Sequence, residues 1–549
     1  IRIAAENEDE SNTAQAMAQN LFGICLHEGI GVKKSIKEAI QYFEKAASKD
    51  YPPALFNLGL EQEKKKIAEI ETKMKKKSLT QANPSLSPLS SPVSFPKSQA
   101  TLGSKSSAPL MKSEIDHVKV FEKAFNNFKK AADSGLAEAC DYYASAIYEF
   151  NFSEAEKYFI KASKLGNIDH AQYMLAEMYL DIRDKKNGKQ YLTLAATQKY
   201  APALFLLAKL NEETGKLKDA LKYYQMAADQ DIDQEKEHNI ELLVNQDSSQ
   251  ERNRRDAIMA ALEKFTLLLI NGKPDIKNIE LAMKYAEKGK ELGNIICTIE
   301  YAKLTNDIPA LKILADESNN KIVQYEYAKS IFCPEKIDES TYYLKLAADQ
   351  HNCEACMDLG YLYERGYLFS DKDKKIPNFK RNIETSKFYF NIAAYDRYPP
   401  ALTKIGIDYI NGVGCKKDIP KAKEYLKSAI DLGNDKNALF NYGDILMKER
   451  NKTDNKNLQD ELYKEAFKYY KESAKQDSPE AQFRYASLIL EILQKKELNE
   501  SNCEMTESQN DDFNDDDINY ETAEKNLKTA AKNHNYPLAI MKYADFLID

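Results

Sequence analysis

Apolar residues along this chain return every three or four positions, stop at a polar turn, and then begin the same cycle again. That spacing lays them on one stripe of a helix, so each cycle predicts an amphipathic helix followed by a turn. The clearest copy opens at Ala18, with Leu21 and Gly23 on the first helix and Gly29-Ile30-Gly31-Val32 as the turn. Glu38-Ala39, Tyr42-Phe43 and Lys45-Ala46-Ala47 then make a second helix, and the next copy starts at Ala54. Ala139, Ala171, Ala203, Ala401 and Ala438 mark further starts. The period is about 32–37 residues, the length of a helix pair. Second-helix patterns recur at Tyr191 to Ala196, Tyr223 to Ala228, Tyr342 to Ala348, Tyr389 to Ala394 and Tyr469 to Ala474.

Ala and Gly at the crossing points allow two antiparallel helices to approach, while Tyr, Phe and Leu fill the wider space toward the next pair. Ala195, Ala196, Ala227 and Ala228 are expected at such crossings. One pair alone cannot bury its apolar faces, so pairs must stack. The expected fold is all-α: a right-handed α-solenoid of antiparallel helix-pair repeats, about a dozen pairs with three inserted loops.

The organisation read from these breaks is as follows. Residues 1–60 hold the N-terminal repeats, and 61–119 a Lys-rich stretch (Lys64 to Lys66, Lys75 to Lys77) followed by a Ser/Pro-rich tract expected to be disordered. Residues 120–335 are central repeats, eroded at 232–335, and 336–496 are C-terminal repeats with a polar loop at 449–462. An acidic loop at 497–520 precedes a last repeat, 521–549, that stops after one helix. Long loops in a solenoid are expected to project from it. Phe546 and Leu547 fall near a face meant for a neighbouring pair. The expectation is that the sequence is part of a longer protein or that a partner covers this end.

The pattern resembles the Sel-1-like repeat family, the relative of the tetratricopeptide repeat with longer and more variable copies. The resemblance is strongest at residues 18–54 and 401–438, where G-x-G-V follows the first helix and the second opens near Lys421-Ala422 and Tyr425. It implies a scaffold or adaptor, and the matching residues are structural. Relatives of this kind serve signalling and cytoskeletal assemblies and act as arms on catalytic domains such as kinases.

Composition narrows the partner more than the fold. The 549 residues carry a formal charge of −8, against the clustered Lys and Arg that nucleic acid requires. No run reaches the ~20 apolar residues of a membrane span, so no membrane insertion is expected. Eight Cys share no repeat position, which argues against a disulfide framework and for a reducing, cytoplasmic compartment.

Candidate chemistry is sparse. Gly29, Gly31, Gly412 and Gly414 resemble phosphate loops in composition but sit between helices, so they read as structural repeat turns. His351, Cys353 and Cys356 have the spacing of half a zinc site and lack a second pair. No H-E-x-x-H or G-x-S-x-G motif occurs. Neither a catalytic residue, a metal nor a cofactor is therefore expected. Ser87-Pro88 and Ser91-Pro92 are candidate phosphorylation sites beside the Lys runs. Asn151, Asn451 and Asn499 fit the glycosylation sequon. The expected function is a non-catalytic scaffold that binds other proteins or peptides through its solenoid surface. The alternatives are an adaptor in the lumen of the endoplasmic reticulum and the regulatory arm of a catalytic chain.

Overall fold

The computed structural model describes the chain apart from residues 7–11, 81–120, 233–240, 244–248, 369–375, 377–378, 502–517, 533, 535 and 549. Among the described residues there are twenty-six α-helices, one short 3-10 turn and no strand. They fall into two compact units, residues 1–304 and 305–549.

In the first unit, α1 (Arg2–Glu6) precedes six pairs. These are α2 (Asn12–Glu28) with α3 (Ile36–Ala47), α4 (Pro52–Thr80) with α5 (Glu122–Asp133), and α6 (Ala137–Ile147) with α7 (Phe152–Gly166). Next come α8 (Asp169–Asp181) with α9 (Lys185–Thr197), α10 (Ala201–Glu213) with α11 (Leu217–Ala228), and α12 (Ser249–Asn271) with α13 (Ile279–Glu291). Helix α14 (Ile295–Leu304) ends the unit.

The second unit opens with α15 (Ile308–Ser318), then α16 (Lys321–Ser330) with α17 (Ile337–Asp349) and α18 (Cys353–Arg365) with α19 (Ile383–Tyr395). It continues with α20 (Pro399–Asn411) and α21 (Ile419–Gly433), α22 (Lys436–Arg450) and α23 (Lys456–Lys475), and α24 (Pro479–Ser501) and α25 (Tyr520–Lys532). Helix α26 (Pro537–Ile548) is last.

The helices start where a side chain can take the place of a missing carbonyl. Asn151 accepts from the Glu154 amide at 3.2 Å, Asn352 from Ala355 at 2.8 Å, and Asp435 from Ala438 at 2.8 Å. They stop where the backbone turns left-handed. Gly412 ends α20 at φ 75°, and Gly414 follows at 61°; Gly29 and Gly31 close the α2 to α3 link at 81° and 68°. A side chain is disfavoured at such angles, which is why these links carry Gly.

Within a pair, one small residue of the first helix meets one large residue of the second. A Cβ added to Gly23 would stand 2.6 Å from Phe43, and one added to Gly59 would stand 2.5 Å from Phe128. Gly406 meets Leu426 and Gly443 meets Tyr470 in the same way. Where the small residue is Ala, as at Ala144, Ala176, Ala208, Ala328 and Ala486, it is fully buried. The crossing residues Ala195, Ala196, Ala227 and Ala228 are buried too.

Several boundaries differ from the sequence reading. The Lys-rich stretch is helical: α4 runs through it to Thr80. Its residues hold no Gly or Pro, and Lys66 pairs with Glu69 one turn on. The Ser/Pro-rich tract from residue 81 onward, with Ser87 and Ser91, lies outside the described residues. The polar loop expected at 449–462 shrinks to residues 451–455. Asn455 caps α23 by accepting from Leu458 at 3.3 Å, and Leu462 packs on the core, so polar helix formers there had masked a helix. Helix α24 carries on to Ser501, and residues 502–517 of the acidic loop lie outside the described residues. The stretch read as eroded, 232–335, still forms helices α12 to α16. The division between units falls at 304/305, inside the block expected as 120–335.

Candidate peptide-binding face

In the first unit, the side of the first helices turned away from their partners carries polar residues that are nonetheless buried. Asn20 on α2 and Asn57 on α4 are fully buried, and the Asn57 amide nitrogen donates to the Asn20 side-chain oxygen at 2.9 Å. Their hydrogen-bond partner is a distant part of the same chain. Asn20 Nδ2 donates to the Glu241 carbonyl at 2.8 Å, and Asn57 Nδ2 donates to the same carbonyl at 2.9 Å. The Leu243 amide in turn donates to Asn57 Oδ1 at 2.8 Å.

Glu241 and Leu242 lie in a turn and a bend between helices. Asn57 meets the Glu241 carbonyl and the Leu243 amide with the two ends of one carboxamide. Beside this grip, the Tyr51 hydroxyl donates to Glu241 Oε2 at 2.7 Å. The Leu243 side chain is 4% exposed and belongs to the core of the unit.

Further along the same face, His170 on α8 and Asp141 on α6 form a buried pair at 2.8 Å. Burial alone would lower the His170 value, but the charge and hydrogen bond of Asp141 outweigh it and raise the value. Gln250, near the start of α12, donates to Asp141 Oδ2 at 3.1 Å. The face is rich in carboxylates: burial raises both Glu63 on α4 and Glu177 on α8. The Tyr173 hydroxyl donates to Glu177 at 2.6 Å.

The second unit holds a buried cation on a first helix. Lys404 on α20 is 5% exposed and pairs with Glu364 at 3.0 Å and Asp408 at 2.5 Å. Its ammonium also lies 4.9 Å from the Phe390 ring. Burial raises the Asp408 value, and Lys404 draws it back only in part.

The residues singled out from the sequence are not brought together. His351 Nδ1 lies 2.8 Å from Asp396, Cys353 points the same way, and Cys356 is buried toward the Ala348 carbonyl. Among the described residues, no three His, Cys, Asp or Glu side chains gather where a metal ion could sit. Asn151 spends its side chain on the α7 cap. Phe546 is half-buried against its own unit, whereas Leu547 is 63% exposed. The Asn20, Asn57 and residue 241–243 cluster was not anticipated. Its only trace in sequence is Glu241-Leu242-Leu243, an apolar spot inside a stretch without a repeat.

Stacked helix pairs with a small-to-large seam and a polar first-helix face define a helical repeat protein. The chain belongs to the Sel1 repeat family: the Sel1 repeat matches at residues 16–51, 115–136, 142–167, 169–200, 201–232, 267–294, 325–352, 353–376, 399–434 and 458–478. Repeats of this kind generally mediate protein–protein interaction. No curated protein matches the chain. Among solved structures, it is similar to a protective antigen of uropathogenic Escherichia coli that displays the same repeat fold. That likeness has 15% identity, spans 97% of this chain and 87% of the other, and has a TM-score of 0.42. A Sel1 repeat protein from Oxalobacter formigenes is 21% identical over 35% of this chain and 74% of its own, with a TM-score of 0.29. Yeast Tom70 is 16% identical over 75% of this chain and 96% of its own, with a TM-score of 0.32. Among the described residues, no helix is long and apolar enough to cross a membrane.

Proposed function

We propose that this chain is a non-catalytic scaffold or adaptor that holds partner proteins on its first-helix faces and gathers them into one cytoplasmic assembly, of a signalling or cytoskeletal kind. One observation carries this reading. Asn20 and Asn57 grip the backbone of a non-helical segment, so the face has the means to hold a peptide whatever its sequence. The family supports the same reading, since its repeats generally serve protein–protein interaction. A second contact zone is α26, which exposes Leu538, Met541 and Leu547. A partner or a further repeat packed there would remove that apolar surface from water.

Affinity purification of the native protein, followed by cross-linking and mass spectrometry, tests the proposal. Partners should cross-link near first helices such as α2, α4, α6 and α8. Partners that attach only through second helices, or a catalytic activity of the purified chain, would overturn it. Leu547→Glu tests α26 separately and should weaken one association without unfolding the chain.

A further inference from the structure

Resting on that reading, we propose that residues 241–243 are a resident ligand. They occupy a peptide site on the first unit, and a partner peptide with an acidic residue followed by two large apolar ones replaces them.

The grip has a sequence-blind part and a selective part. Asn20 and Asn57 contact only the Glu241 carbonyl and the Leu243 amide, which any peptide except one with proline at the third position can supply. Selection comes from two side chains: the Tyr51 hydroxyl takes a carboxylate, and the unit core takes Leu243. Leu242 packs partly buried against the same core, so the site reads acid, apolar, apolar. Gln250 shows what suits the face beyond it, a donor group facing Asp141.

The segment differs from ordinary repeat packing in two ways. It belongs to no helix, and the Asn20 to Glu241 contact spans 221 positions, whereas repeats normally contact only their neighbours. A tethered occupant of this kind competes with an effective concentration on the order of millimolar. The apparent affinity of an incoming peptide then falls by the fraction of time the groove is open. Weak peptides are rejected, and a partner binds only when its own contacts exceed those of the resident.

The test uses the full chain and a fluorescein-labelled synthetic peptide with the sequence of residues 237–246, read by fluorescence anisotropy. The chain carrying Leu243→Asp should bind the probe at least tenfold more tightly than the unaltered chain, because its own segment no longer seats. Adding Asn57→Ala should abolish that gain. A probe with Asp at the third position of its Glu-Leu-Leu motif should not bind. Leu243→Ala provides the same release with a smaller packing defect, and circular dichroism melts establish that each variant is folded. Equal binding by unaltered and released chains would overturn the resident-ligand proposal while leaving peptide binding intact. Folded variants that bind no probe would overturn it as well, as expected of a purely structural buttress. In that case the cross-linking experiment still decides the scaffold reading by itself.

Discussion

Gly360 of α18 lies so close to the ring of Phe390 in α19 that a Cβ on Gly360 would stand 2.3 Å from Cε1. The contact is one instance of the small-to-large seam seen in Gly23 with Phe43 and Gly59 with Phe128. Gly360→Ala should therefore destabilise the second unit by about 1–3 kcal/mol, the usual cost of overpacking. Alanine's better helix propensity, worth about 1 kcal/mol, offsets only part of that. A thermal melt that left the variant as stable as the natural chain would mean that the two helices can slide apart freely.

Removing the Asn57 carboxamide should expose the segment it holds. Asn57→Ala leaves the Leu243 amide without its acceptor and the Glu241 carbonyl with one donor fewer. Leaving a buried polar group unsatisfied costs about 1–3 kcal/mol. Hydrogen exchange at the Leu243 amide should accelerate at least tenfold in this variant, while exchange within α10 and α11 stays unchanged.

His170 should make stability depend on pH. Burial pulls its folded pKa down, but the charge and hydrogen bond of Asp141, with the charges of Asp169 and Glu177, together raise it above the ordinary ~6.5. A raised value stabilises fully below the unfolded value, and that stabilisation is lost as pH rises through the folded one. The melting temperature of His170→Gln should therefore fall further below that of the natural chain at pH 6 than at pH 8.5. An equal gap at both values would show that the His170 to Asp141 pair carries no proton-linked stability.

Lys404→Met removes the cation paired with Asp408, while Glu364 keeps its ion pair with Arg365 at 3.1 Å. Breaking a buried pair from one side typically costs about 3–5 kcal/mol. Asp408 is already raised by burial, and losing the Lys404 ammonium raises it further, so stability should drop as pH rises and the carboxyl ionises. Chemical denaturation at pH 5 and pH 8 checks the sign: the penalty should be larger at pH 8.

The pairing of helices was legible because its determinants recur. Gly23 and Phe43, or Ala208 and Tyr224, stand at equivalent positions in different copies, and repetition separates them from the background. The ends of helices were less legible where polar helix formers imitate a loop, as at Lys456 to Leu462. The Asn20 and Asn57 site was invisible for another reason. Both residues sit at positions that vary from copy to copy, and their partner is a segment outside the period. Lys404 was hidden likewise, since one Lys on an amphipathic helix looks solvated until Glu364 and Asp408 are placed beside it.

The contact between Asn20 and Glu241 also changes how the first unit can come together. A stack of repeats ordinarily grows from any nucleus, because each pair needs only the next. Here one bond joins positions 221 apart, and such distant contacts slow assembly by demanding that the chain between them be arranged first. Closing the stitch is therefore expected to come late in the assembly of the unit. In the finished unit the same stitch acts as a latch against fraying, because α2 cannot peel away from its end of the stack until the grip on Glu241 has let go.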